Sequence, residues 1–175
     1  MTICTYARHF LAAGLLGTGF LLAAAAPAPA AQQFMLINLQ THKCLTIAGG
    51  ESTANNVTAL QFTCDSHPSR RWRLIRFGNE FQIKNLQTGK CLTIAGGVST
   101  ANNVTALQFN CDSHPSRRWH LNKVGNAFQI RNVQTGKCLT IAGGISTANN
   151  VEALQFNCDS HPSRRWDVRS SVIID

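Results

Sequence analysis

Phe81 and Ile83 alternate with Gln82 and Lys84 over residues 81–85, the pattern of a strand with one buried face. Thr88, Gly89 and Lys90 make a turn, and residues 91–95 alternate again. There Leu92 and Ile94 share one face, and Cys91 and Thr93 the other. Gly96 and Gly97 end that strand, and a polar loop runs through Ala101, Asn102 and Asn103. Residues 106–111 form a third strand with Leu107, Phe109 and Cys111 on one face. Residues 112–116 read as a single capped turn, because Asp112 or a serine can bond the free amides before Pro115. A fourth strand opens over residues 117–121, and its alternation sends Arg117 and Arg118 to opposite faces. Gly125-Asn126 then makes a hairpin turn, as Gly78-Asn79 does earlier.

The same string occurs three times, over residues 34–72, 81–119 and 128–166, at a spacing of 47. The second and third copies differ at four positions, Lys84/Arg131, Leu86/Val133, Val98/Ile145 and Thr105/Glu152; the first and second differ at six. A period of this size marks a unit that cannot bury its apolar face alone and packs against its siblings. Four strands in each of three units give about twelve short strands and no helical period. That predicts a closed all-β body around a pseudo-threefold axis, which also removes exposed sheet edges. Trp72, Trp119 and Trp166 are the natural core, each burying ~150–250 Å².

Residues 1–30 carry a different signal. Arg8 precedes an apolar run over residues 10–25, and Ala28 and Ala30 satisfy the small-x-small cleavage rule. The run is shorter than the ~20 apolar residues of a spanning helix. A secretory signal peptide cut after Ala30 is expected, leaving a secreted, extracellular chain of residues 31–175 with no membrane span. That chain divides into repeats 34–80, 81–127 and 128–175. It retains six of the seven cysteines, an even number that reads as a disulfide framework in an exported protein. Repeat symmetry allows two families of pairing, Cys44–Cys64 with its copies or links between neighbouring repeats. The full sequence carries a net charge of +8. A basic chain favours acidic partners such as anionic polysaccharide by steering.

The residues resemble the ricin B-chain-like β-trefoil lectins. That family repeats a strand bearing Cys-Leu, a second Cys about twenty residues on, and a Gln-x-Trp signature eight residues later. Cys91-Leu92, Cys111 and Trp119 fall at those steps, as do Cys44-Leu45, Cys64, Trp72 and Cys138-Leu139, Cys158, Trp166. The resemblance covers all of residues 31–175 and implies a β-trefoil with the within-repeat pairs Cys44–Cys64, Cys91–Cys111 and Cys138–Cys158. Arg70, Arg117 and Arg164 stand where the family has Gln.

The resemblance also implies a shallow sugar pocket on each repeat, with an aromatic ring two residues before the second Cys. Phe62, Phe109 and Phe156 supply it. The family's polar partners are replaced: Thr46, Thr93 and Thr140 occupy the Asp position, Leu60, Leu107 and Leu154 the Gln, and Ser69, Ser116 and Ser163 the Asn. Each missing charge-assisted bond removes roughly 1.5–3 kcal/mol. A remodelled pocket is expected, lined by these Phe and Thr residues with Asp65, Asp112, Asp159, His67, His114, His161, Arg70, Arg117 and Arg164. The aspartates would replace the lost carboxylate from the following loop; capping that loop and pairing with Arg is their structural alternative. A guanidinium can grip a carboxylate or sulfate on an acidic glycan by two parallel bonds.

Catalysis has little to stand on. Bridged cysteines leave no thiol, and one acid per repeat does not form the carboxylate pair of glycoside hydrolysis. The histidine spacing matches no zinc pattern, so no metal or cofactor is expected. Sparse aromatic interleaving argues against nucleic acid. The expected function is a secreted, monomeric, non-catalytic carbohydrate-binding module with up to three equivalent sites for a glycan or polysaccharide, acidic ones included. The alternatives are a protein-binding or inhibitory trefoil with lapsed sugar sites and a basic adhesin for anionic polymers.

Overall fold

Each 47-residue unit forms four strands, and the three sets of four close on one another. The computed structural model describes residues 32–171. The chain divides into units Met1–Ala30 and Ala31–Asp175; the expected signal peptide lies outside the described residues. The first repeat gives β1 (Gln33–Asn38), β2 (Cys44–Ile47), β3 (Ala59–Phe62) and β4 (Trp72–Phe77). The second gives β5 (Glu80–Asn85), β6 (Cys91–Ile94), β7 (Val104–Phe109) and β8 (Trp119–Val124). The third gives β9 (Ala127–Asn132), β10 (Cys138–Ile141), β11 (Ala153–Phe156) and β12 (Trp166–Ser171).

Six strands make a barrel. The hairpins β4–β5 and β8–β9 and the pair β1–β12 each zip over six residues. Single registers join them into a ring: Phe34 opposite Trp72, Phe81 opposite Trp119 and Phe128 opposite Trp166. The pairing of β1 with β12 joins the first and last described strands and closes the barrel ring without an edge. The other six strands form three hairpins, β2–β3, β6–β7 and β10–β11, that also contact one another in a ring. Trp72, Trp119 and Trp166 are fully buried with Leu36, Ile83 and Ile130 of the barrel and Leu45, Leu92 and Leu139 of the hairpins. Each indole Nε1 donates to the carbonyl of Leu45, Leu92 or Leu139 at 3.0 Å, so the one polar atom of the ring is satisfied. The three disulfides pair within repeats, with Cα–Cα separations of 5.0–5.1 Å.

Two local expectations shift. Residues 115–117 form a 3-10 turn, so the fourth strand begins at Trp119 rather than at residue 117. The third strand runs Val104–Phe109 and stops short of Cys111. Arg117 therefore lies in the turn and Arg118 at its C-terminal cap; the two diverge because the turn ends there, not by strand alternation.

The repeats interlock through buried amides that the alternation pattern does not single out. Gln108 is fully buried, and its Nε2 donates to the carbonyls of Ser52 and Ala54 in the preceding repeat at 2.7 Å each. Gln155 does the same to Ser99 and Ala101, and Gln61 to Ser146 and Ala148. Each β2–β3-type loop thus clasps the next repeat, the third clasping the first. A sheared repeat would leave these groups buried without partners, at about 1–3 kcal/mol each.

Candidate functional site

The clasp builds a hollow from two repeats at a time. In the second repeat, Cys91 pairs with Phe109 and Thr93 with Leu107, and partners in an antiparallel ladder share a face. The opposite face carries Leu92 and Ile94 into the core. Leu107 and Phe109 therefore face outward, into a cavity of about 330 Å³ that Thr93, His114 and Arg117 also line. The first repeat contributes Asn56, held in the left-handed region at φ 65° with its amide bonded to the Gln108 carbonyl. The hollow of the first repeat, about 300 Å³, contains Thr46, Phe62, His67 and Arg70 with Asn150 of the third. The hollow of the third repeat, about 350 Å³, contains Thr140, Phe156, His161 and Arg164 with Asn103 of the second.

A chain of hydrogen bonds sets each floor. The hydroxyl of Thr93 is bonded to the carbonyl and Oγ of Ser116 at 3.1 and 3.2 Å, tying the 3-10 turn to β6. His114 caps that turn: its Nδ1 accepts from the Ser116 amide at 3.2 Å and lies 2.8 Å from Ser116 Oγ. An accepting Nδ1 places the neutral ring's proton on Nε2, which is left as a donor. Gly97, at φ 73°, lets the floor close, because a Cβ there would sit 3.2 Å from Ser116 Oγ.

The arginine covers the ring. Arg117 Cζ lies 4.3 Å from the Phe109 centroid, and Arg70 and Arg164 sit 4.4 and 4.3 Å from Phe62 and Phe156. The guanidinium is braced by Asp112, 3.3 Å from Nη1, and the other two repeats hold the same pair at 3.4 and 3.5 Å. Asp112 Oδ1 also accepts from the His114 amide at 2.9 Å. The structure thus brings Phe, Thr, His and the first Arg of each repeat together. It places Asp65, Asp112 and Asp159 behind that Arg, about half exposed, as braces and caps. The sequence did not reveal Asn56, Asn103 and Asn150, because they reach each hollow from a neighbouring repeat. Only the Asn-Asn pair in a glycine-bounded loop hinted at their left-handed conformation.

Arg118 is a separate matter. It pairs with Glu80 at 2.8 Å and lies over Phe77 at 4.9 Å, away from the hollow. Arg118→Ala should destabilise the fold by roughly 1 kcal/mol in urea denaturation, with glycan binding unchanged. Weakened binding with unchanged stability would place it in the site instead.

A family model for the ricin-type β-trefoil lectin domain-like group matches residues 25–109, 75–156 and 115–173. The chain belongs to that family. Its fold resembles the designed threefold-symmetric protein ThreeFoil, with a TM-score of 0.74, 19% identity, and 78% of this chain and 96% of that one covered. It also resembles the Macrolepiota procera ricin B-like lectin in complex with lactose: TM-score 0.67, 16% identity, 82% of this chain and 98% of that one. An exo-β-1,3-galactanase from Clostridium thermocellum contains a similar fold (TM-score 0.76, 20% identity, 82% of this chain), and the match spans 31% of that enzyme. Among curated proteins no significant match is found.

Proposed function

We propose that this β-trefoil is a secreted, non-catalytic carbohydrate-binding module, monomeric, with up to three shallow sites for a glycan or polysaccharide. The observation that supports it is the threefold recurrence of one hollow with ring, imidazole and guanidinium in matching places. Membership in a lectin-like family, and a neighbour whose structure holds lactose, point the same way. The guanidinium over each phenylalanine adds N–H donors, directed from its edge, beside the ring. Such donors suit sugar hydroxyls and, with two parallel bonds, a carboxylate or sulfate on an acidic glycan. The Nε2–H of each histidine adds a second donor. Three weak sites on one rigid body multiply into avidity on a polymer when the geometry allows simultaneous contact.

A glycan array at two ionic strengths tests this. The wild-type chain should show a defined sugar preference at both. Replacing Phe62, Phe109 and Phe156 together by Ala should weaken it about tenfold or more, since the loss is repeated at each site, while the disulfides keep the fold. Unchanged binding by the triple variant rejects the hollows as the site. Binding that collapses at high salt whatever the sugar replaces the lectin reading with electrostatic adhesion to anionic polymers.

A further inference from the structure

The three hollows have matching walls, so their rims act as an internal control. Hollow 2 is flanked by Thr58, which lies opposite Leu107, and hollow 3 by Thr105, opposite Leu154. The residue in that place at hollow 1 is Glu152, opposite Leu60. Antiparallel partners share a face, and Leu60 lines hollow 1, as does Asn150 two residues before Glu152. A second rim position follows the floor glycine. It holds Val98 in the second repeat and Ile145 in the third, 65% and 70% exposed, but Glu51 in the first.

Charge makes the difference physical. In hollows 2 and 3 the guanidinium is already balanced by Asp112 or Asp159. Hollow 1 has the same balance through Asp65, and then two further carboxylates. Glu51 and Glu152 are exposed, and among the described residues neither forms an ion pair.

We propose that Glu152, with Glu51, is the specificity determinant of hollow 1 and selects a sugar bearing a protonated amine, such as a glucosamine unit. Resting on the carbohydrate reading above, this makes the module heterovalent: one amine-preferring site beside two sites without that preference. The overall charge of +8 opposes a cationic ligand, so its attraction has to be local to these two carboxylates.

Glu51→Val with Glu152→Thr gives hollow 1 the rim that hollow 2 already has, so the substitutions are ones the fold accommodates elsewhere. Isothermal titration should compare a short glucosamine oligomer with its fully N-acetylated counterpart. The wild-type chain should bind the amine oligomer at one site, and the double variant should bind it about fivefold more weakly, the scale of two exposed ion pairs. The N-acetylated oligomer should be indifferent to the change. The reverse swap at hollow 2, Thr58→Glu with Val98→Glu, should raise the stoichiometry for the amine oligomer to two. Equal affinity of wild type and double variant for the amine oligomer, or no binding by either, overturns the proposal. The array on the wild-type chain decides separately whether the hollows take sugars at all: neutral glycans bound with no amine preference reject this inference and keep the lectin reading.

Discussion

Replacing Trp119 by alanine should destabilise the fold by about 3–5 kcal/mol, the range for deleting a buried aromatic side chain. The indole is fully buried where barrel meets hairpin, and its departure leaves both a cavity and the Leu92 carbonyl without its donor. A domain is stable by roughly 5–15 kcal/mol in all, so the loss takes a large share. Guanidinium chloride denaturation should show a lower midpoint with an unchanged slope. Trp119→Phe should cost less, because the ring is largely kept and the lost N–H bond is worth about 1–3 kcal/mol. Trp72 and Trp166 have the same burial and the same bond, so their alanine variants should match Trp119→Ala closely. A loss below about 1 kcal/mol at any of the three would mean that its cavity collapses, contrary to a rigid ring-closed core.

Reducing the disulfides should have an even larger effect. Each bridge closes a loop of sequence separation 20, which stabilises by about 3 kcal/mol through the unfolded state. All three together amount to about 9 kcal/mol, comparable to the whole stability of a typical domain. Near-ultraviolet circular dichroism of the buried tryptophans, followed with and without reductant, should show the reduced chain losing its packed signal at or near 37 °C. Coincident melting curves would show that the barrel and interlocking amides suffice alone. The bridges matter to the hollows as well: Cys111 follows Phe109 by two residues, and Cys91 is that ring's ladder partner.

Much of the fold was legible in the chain. The 47-residue period with its alternating strands predicts three copies of one β unit. Glycine-marked turns place the β4–β5 and β8–β9 hairpins at Gly78 and Gly125, both at positive φ. The family spacing implied the bridges that form. Less legible were the short segments in which side chains compete with the strand pattern. His114 is an uncommon cap, yet its ring nitrogen takes the Ser116 amide and turns residues 115–117 out of the strand. That moves Arg117 over Phe109 and Arg118 toward Glu80.

By itself the sequence determined that three sibling units must close together, since an amphipathic strand pattern and a triplicated tryptophan cannot be satisfied by one unit alone. It also determined which ring, imidazole and guanidinium recur. Periodicity left to the tertiary structure which face of each third strand looks outward, and only the family resemblance pointed Phe62, Phe109 and Phe156 to a surface pocket. Alternation marks Leu107 and Phe109 as one face and Gln108 as the other, but not which is buried. The neighbouring loop settles it, because a buried Gln108 amide needs acceptors and the carbonyls of Ser52 and Ala54 supply them, leaving the apolar pair to the hollow. The same closure brings Asn150 and Glu152 beside Leu60, from residues some ninety positions away along the chain. No local pattern encodes that meeting; it follows from the third repeat clasping the first.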